Sequence, residues 1–446
     1  MTAQGSGTPT RQQVQGRRLL GLMTQSVGAK VLTQALRIVR NIVLARVLGP
    51  YDRGLLALVM TVPELLSTAV NLGSTATAAY HGSQRDAVLP VIFGYLLLFC
   101  LGFGAVVGMV SAIALSAGVG ADLFDDDAVR YVAIIGTMVP VFLFKNALQG
   151  LLLARDRVGT ANALRVLESG GPLVLFLVLW ATTTNLLDAA VVAWAVALIS
   201  VCLGAAGSLV YEGIWPPKVH APTFRRLLSY GSRGHFDGMF QAVLFRIDFI
   251  FVGAMLGAQS LGHYAMATAA AELLLTFSEA VVYPLMSRLL RSHERPDDRL
   301  IPLVLRSVWT LMCVAAIVMA LLGDALIELL FGSAYLPGYL PLLWLLPGLV
   351  ALSLCGIFRL YLLGRNRPGV ASAVGGLAAV ANVVLNLIFI PAWGLSGAAL
   401  ASSLAYVFVA VGLHLQYSRM SGVGPSETLV PRLSDFRQVL ALLRPR

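Results

Sequence analysis

The sequence predicts an all-α integral membrane protein of about twelve transmembrane helices in two parallel six-helix repeats. Three observations carry this expectation. The chain has 446 residues, 58% hydrophobic and only 12% charged, whereas ordinary soluble domains are about 25% charged. Apolar runs long enough to span a bilayer, about 20 residues each, follow one another with short polar breaks. Two unrelated motifs recur at nearly one spacing, 208 and 210 residues. Helices are the economical spanning element, because in hydrocarbon each backbone group must find its partner within its own segment.

The runs place spans at 21-48, 54-80, 88-117, 129-153, 160-182, 187-210, 232-256, 261-287, 301-322, 338-363, 369-390 and 395-417. Around them the chain divides into a tail at 1-20, a first lobe at 21-210, a linker at 211-231, a second lobe at 232-417 and a tail at 418-446. Cys100, Cys202, Cys313 and Cys355 each lie inside an apolar run, without metal-ligand or disulfide spacing. The N-terminal segment with Arg11, Arg17 and Arg18 lacks a small-residue cleavage site, so the first span is expected to stay attached.

The repeat is read from two echoes. "LGPYDRGLLALVMTVPELL" at 48-66 returns as "LGAQSLGHYAMATAAAELL" at 256-274, with Gly49, Gly54 and Glu64 matched by Gly257, Gly262 and Glu272. "LARDRVGTANA" at 153-163 returns as "LGRNRPGVASA" at 363-373. An even number of spans per half starts both halves on the same side, which makes the repeats parallel. Gly49 and Gly54 are assigned to a tight outer turn, and the Arg-x-Arg segments to inner turns.

Orientation follows from loop charge. With both termini cytoplasmic, inner segments hold 21 of the 32 Lys and Arg residues, nine lie within spans, and only Arg53 and Arg130 fall outside. The net charge of +10 is thereby a topology signal rather than a nucleic-acid footprint. The outer loop 121-128 is acidic. The linker ends in a basic amphipathic stretch expected to lie on the inner surface.

Ionisable groups inside a membrane are costly and tend to face a wet cavity or a partner. In the first span Lys30, Gln34, Arg37 and Asn41 fall on one helical face, flanked by Arg40. Such a ridge suits an anion such as a phosphate, for which Arg offers paired donors and Lys a point charge. The competing reading is internal pairing with Glu64, Glu168, Asp248, Glu272 or Glu279. Arg246 in the seventh span holds nearly the place of Arg37 and is either a second substrate cation or a local partner of Asp248. Glu64, Asp248 and Glu272 are candidates both for coupling to H+ or Na+ and for helix-helix hydrogen bonding. Pro63, Pro140, Pro284 and Pro347 would bend their spans. No catalytic constellation or metal-ligand cluster is visible, and no cofactor is expected: the histidines are scattered, and no phosphate-cradling Gly loop follows a strand.

"NIVLARVLGPYDRGLLAL", "LLLARDRVGTANAL" and "PAWGLSGAALAS" resemble motifs of the Wzx-type oligosaccharide flippases, within the multidrug, oligosaccharidyl-lipid and polysaccharide exporter superfamily. The resemblance spans about residues 19 to 417. It implies a V-shaped, two-lobe fold working by alternating access around a basic central cavity. It also implies a polyprenyl-pyrophosphate-linked oligosaccharide as substrate, flipped from the inner to the outer leaflet of a bacterial cytoplasmic membrane for surface polysaccharide biosynthesis. Glycosyltransferases or a polymerase of the same pathway would be partners. Alternatives are an ion-coupled multidrug antiporter, disfavoured because the first span has no acid, and a lipid II flippase, whose relatives usually have fourteen spans. A non-transport reading, a membrane scaffold for glycosyltransferases, would leave the basic ridge tolerant of neutralisation.

Overall fold

A computed structural model describes residues 11-83, 89-118, 130-289, 300-365, 367-432 and 435. The acidic loop 121-128, Arg85 and most of the basic loop 288-299 lie outside the described residues, as do the side chains of Glu279 and Pro284. Among the described residues the regular structure is helical throughout: α1 (Arg11–Val70), α2 (Ser74–Gly82), α3 (Leu89–Ser116), α4 (Val132–Ala154), α5 (Val158–Trp180), α6 (Leu186–Leu209), α7 (Ala221–Leu289), α8 (Leu300–Phe331), α9 (Tyr339–Leu352), α10 (Cys355–Gly364), α11 (Pro368–Ser421) and α12 (Pro425–Leu429).

Nine stretches among the described residues are long and apolar enough to cross a membrane. Three of them are interrupted well inside their length by a non-helical glycine, Gly49, Gly257 and Gly394. Dividing them there yields twelve segments, in register with the apolar runs of the sequence. Gly49 (φ 73°, ψ 174°) and Gly257 (φ 81°, ψ 173°) adopt one conformation, closed to residues with a Cβ. The second echo is equally literal. Arg157 N–H donates to Leu152 O at 2.9 Å, and Arg367 N–H donates to Leu362 O at 2.9 Å. Motif, offset and backbone therefore agree that one unit is used twice.

The sequence expectations need four corrections. The second span does not run unbroken to residue 80, because Leu72 (φ 44°) and Gly73 (φ 71°) interrupt it before α2. The ninth continues to Phe331 rather than ending near 322. The linker does not end at 231 as a segment apart from the seventh span: α7 starts at Ala221, with Pro222 in its first turn, and continues into that span. Finally, Gly54 lies inside a helix and serves a contact rather than a turn.

The chain forms two compact units. The first comprises Met1–Asn41, Val70–Val110 and Gly136–Arg233. Small residues set its helix crossings, as expected where lipid supplies no hydrophobic drive and close backbones provide the packing. A Cβ on Gly108 would sit 2.0 Å from Gly136 O, joining α3 to α4, and one on Gly150 would sit 2.8 Å from Thr75 O, joining α4 to α2. Asn185 caps α6, its side chain accepting from Asp188 N–H at 3.2 Å.

The second unit comprises Ile42–Ala69, Ser111–Ile135 and Gly234–Arg446. Its Gly54 and Gly262 occupy equivalent repeat positions and make reciprocal contacts. A Cβ on Gly54 would lie 1.8 Å from Ala258 O, and one on Gly262 would lie 1.8 Å from Pro50 O. Gly348 N–H, which follows the helix-interior Pro347, donates to the buried Ser403 Oγ at 2.8 Å, pinning α9 to α11. Along α8, Val314, Ile317, Leu321 and Leu329 are all exposed, an arrangement suited to lipid.

The C-terminal segment is also tied to this unit. Arg306 Nε and Nη2 donate to Asp435 Oδ2 and Oδ1 at 2.7 and 2.9 Å, and Nη1 reaches Glu427 O. The hydrogen bonds from Arg306 hold the Asp435 carboxyl below its ordinary range. A depressed acid contributes fully above its unfolded pKa, about 3.9, and loses the contribution as pH falls through its lower folded value. Tail attachment is therefore expected to be flat between about pH 5 and 8 and to weaken below about pH 4, read as the anisotropy of a dye on the C-terminus. Asp435→Asn should loosen the tail at neutral pH, seen as about tenfold faster tryptic cleavage after the exposed Arg432, a loss of roughly 1.4 kcal/mol.

Candidate functional site

In the first unit, α1 carries the basic face. Lys30 and Arg37 are exposed, while Gln34, Arg40 and Asn41 are half-buried. Within this unit the acids inside the predicted spans are Glu168 and, at a span end, Asp188, beside the cations Lys30, Arg37, Arg40, Lys145 and Arg165. Glu168 is already engaged. The buried Lys145 Nζ lies 2.6 Å from its Oε1, and Gln149 Nε2 donates to Oε2 at 3.2 Å. Lys145 and Gln149 are four residues apart on α4, so both point to one side and bracket the carboxylate. Arg37 is among the charges this carboxylate feels. Within the spans of this unit the cations outnumber the acids five to two.

The second unit is balanced differently. Arg246 Nη1 lies 3.2 Å from Glu272 Oε1, and its guanidinium sits 5.3 Å from the centre of the Phe249 ring. Of the two sequence readings for Arg246, the local partner is the one this geometry resembles, although the partner is Glu272. Arg359 Nη1 grips both oxygens of Asp237 at 2.8 and 3.0 Å, and Gln241 adds a bond to Oδ2 at 2.9 Å. Arg46 reaches Leu329 O and Leu330 O, and Arg306 holds Asp435. Each of these cations has its counter-charge or carbonyl in place.

Asp248 is deeply buried and accepts from Tyr264 Oη at 2.6 Å, Ser402 Oγ at 3.0 Å and Phe249 N–H at 2.9 Å. Three donors from α7 and α11 make this an enclosed carboxylate rather than a substrate contact. Nearby on the same helices Asn382 Nδ2 donates to Leu244 O at 3.0 Å, and Asn386 bonds back to Asn382. Glu64 is exposed, unlike its repeat mate Glu272. Sequence reasoning named Glu168 and Asp248, but missed Gln149, Tyr264 and Ser402. The spacing of Lys145 and Gln149 was the available signal for the first.

A helical architecture with many apolar spans, doubled by an internal repeat and carrying cations on one spanning helix, defines a multi-pass membrane protein. Solved structures agree. The chain is similar to the lipid II flippase MurJ in an inward closed conformation, at 14% identity over 94% of this chain and 90% of that one, with a TM-score of 0.72. An inward-facing multidrug resistance MATE transporter of the MOP superfamily matches at 14% identity over 89% and 98%, TM-score 0.64. A MOP superfamily transporter from Pyrococcus furiosus, described by the reverse polarity of its binding pocket, matches at 15% identity over 95% of each chain, TM-score 0.57. No curated protein matches the chain by sequence. Residues 43–339 match the family model described as polysaccharide biosynthesis protein, and the chain belongs to that family.

Proposed function

We propose that this protein is a flippase that carries a polyprenyl-pyrophosphate-linked oligosaccharide from the inner to the outer leaflet of a bacterial cytoplasmic membrane, with both termini cytoplasmic. The observation that carries the reading is the row of cations on α1, with Lys30 and Arg37 exposed on one helix. A pyrophosphate diester has two negative charges and several acceptor oxygens, which match a point charge and a planar fork placed two turns apart. An organic cation would be repelled by the same face, which disfavours a drug antiporter. The polysaccharide family supports an oligosaccharide headgroup, and the fold shared with a lipid II flippase supports a lipid-linked one.

The headgroup crosses by alternating access, with no bond made or broken, so the residues act by holding and releasing the phosphates. Coupling to H+ or Na+ falls to Asp248, whose three donors keep a carboxylate in place away from water. Glu272 is occupied by Arg246, and Glu64 is a surface group. Glycosyltransferases or a polymerase of the same pathway would supply and consume the substrate. Reconstitution in vesicles loaded on one side with a lipid-linked oligosaccharide tests the reading: lectin-accessible headgroup should appear on the opposite face. Transport of organic cations, with no movement of headgroup, would establish the antiporter instead.

A further inference from the structure

The second unit contains a cavity of about 890 Å³ between α8, α9 and the last part of α11, bounded at one end by α12. Trp309 and Ile317 of α8, Val350 of α9, Val411 of α11 and Leu429 of α12 form its walls. Apart from the Trp309 indole and Cys313, the polar lining side chain is His414, already bonded to Thr428 Oγ1 at 2.8 Å. A buried water needs two to four polar partners, so this wall favours hydrocarbon. Ile317, Val411 and Leu415 are exposed as well as lining, which opens the space sideways onto the apolar surface.

Two features choose the occupant. From Trp309 to Ala320 the wall rises roughly 16 Å along α8, about one leaflet of a hydrocarbon core near 30 Å thick. A long polyprenyl tail would overrun that depth, whereas an acyl chain fits it. At the α12 end, the exposed Arg419 lies four residues beyond Leu415 on the same face of α11, where a lipid phosphate would sit above its chain. The hold of Arg306 on Glu427 and Asp435 keeps α12 in place as the end wall.

We propose that this cavity binds one acyl chain of an anionic phospholipid from the leaflet on the α12 side, with the headgroup phosphate at Arg419. The cavity belongs to the second unit, and the proposal does not depend on what the protein transports. Trp309 provides the probe. In nanodiscs, the emission lost on Trp309→Phe isolates its signal, which is followed with chain-brominated phosphatidylglycerol or phosphatidylcholine at equal mole fraction. Quenching of Trp309 should be at least about threefold stronger with phosphatidylglycerol, equivalent to roughly 0.7 kcal/mol of preference, and Arg419→Gln should remove the preference while leaving Trp309 quenchable. Equal quenching by both lipids in the unmodified protein overturns the anionic assignment. Absence of quenching overturns occupation by a phospholipid chain, and relief of quenching by stoichiometric polyprenyl phosphate assigns the cavity to a prenyl chain instead.

Discussion

Replacing Lys30 and Arg37 together with alanine is expected to abolish headgroup translocation in a protein that still inserts and remains monodisperse. Two unit charges 4 Å apart attract by about 4 kcal/mol at an effective dielectric of 20. Truncating one member of a desolvated charge pair costs about 2 to 5 kcal/mol. Both side chains are exposed, so water shields them and the lower end applies: roughly 2 kcal/mol each, or about thirtyfold in affinity per residue. The double variant should therefore lose about a thousandfold. Arg37→Lys keeps the charge but loses the paired donors, and should fall between the unmodified protein and Arg37→Ala. The measurements are the initial rate of lectin-accessible headgroup in vesicles and surface polysaccharide in cells. Full export by both single alanine variants would remove this face from the substrate path. Arg246→Ala is expected to behave differently, lowering stability by leaving Glu272 without its cation, rather than acting on the headgroup directly.

Much of the fold was legible because the membrane imposes a simple code. A span must be apolar for about 20 residues, and the breaks stand out as Gly, Pro and charge. The repeat was legible for the same reason: the Gly49 and Gly257 turn needs a positive φ, so the motif retains its glycine in both halves. What escaped were features whose cause lies far along the chain. Gly54 reads locally as a turn glycine, and its true constraint is the carbonyl of Ala258, some two hundred residues away. The interruption at Leu72 carries no breaker except Gly73, whose Cβ position is filled by Gly231 of the same unit. The helix from Ala221 into the seventh span was hidden by Pro216 and Pro217, which lie before its start rather than within it.

The candidate site was half legible for an electrostatic reason. Periodicity placed the cations of α1 on one face, because spacing along a helix is a local property. Which acids neutralise which bases is a property of helix neighbours. Glu168 therefore went to Lys145, Glu272 to Arg246 and Asp237 to Arg359, two pairings between separate helices and one across the Gly257 break of α7. Their outcome is the informative part. Each paired cation of the second unit is matched within that unit, whereas the first unit has five span cations and two span acids, Glu168 and Asp188. Arg246, at nearly the repeat position of Arg37, stands against Glu272, whereas Arg37 is exposed.

Gly54→Val and Gly262→Val should each prevent recovery of a folded, monodisperse protein, and the milder alanine pair should reveal why. Each glycine faces backbone rather than a movable side chain: Gly54 meets Ala258 O and Gly262 N, and Gly262 meets Pro50 O, all closer than a Cβ tolerates. The helices must therefore separate, and overpacking of this kind costs about 1 to 3 kcal/mol or more. A larger β-branched group adds to that. Because both contacts belong to one crossing, the first alanine already forces the helices apart and the second finds the space open. Gly54→Ala with Gly262→Ala should accordingly destabilise by much less than the sum of the single changes, a coupling of about 1 kcal/mol or more in a double-mutant cycle. Gly207, a helical glycine with nothing near its Cβ position, supplies the control, and Gly207→Ala should be neutral or stabilising by up to about 1 kcal/mol. Thermal unfolding in detergent measures all four. Strictly additive losses would mean that the two glycines guard independent contacts, and the reciprocal crossing of the repeats would then have to be abandoned.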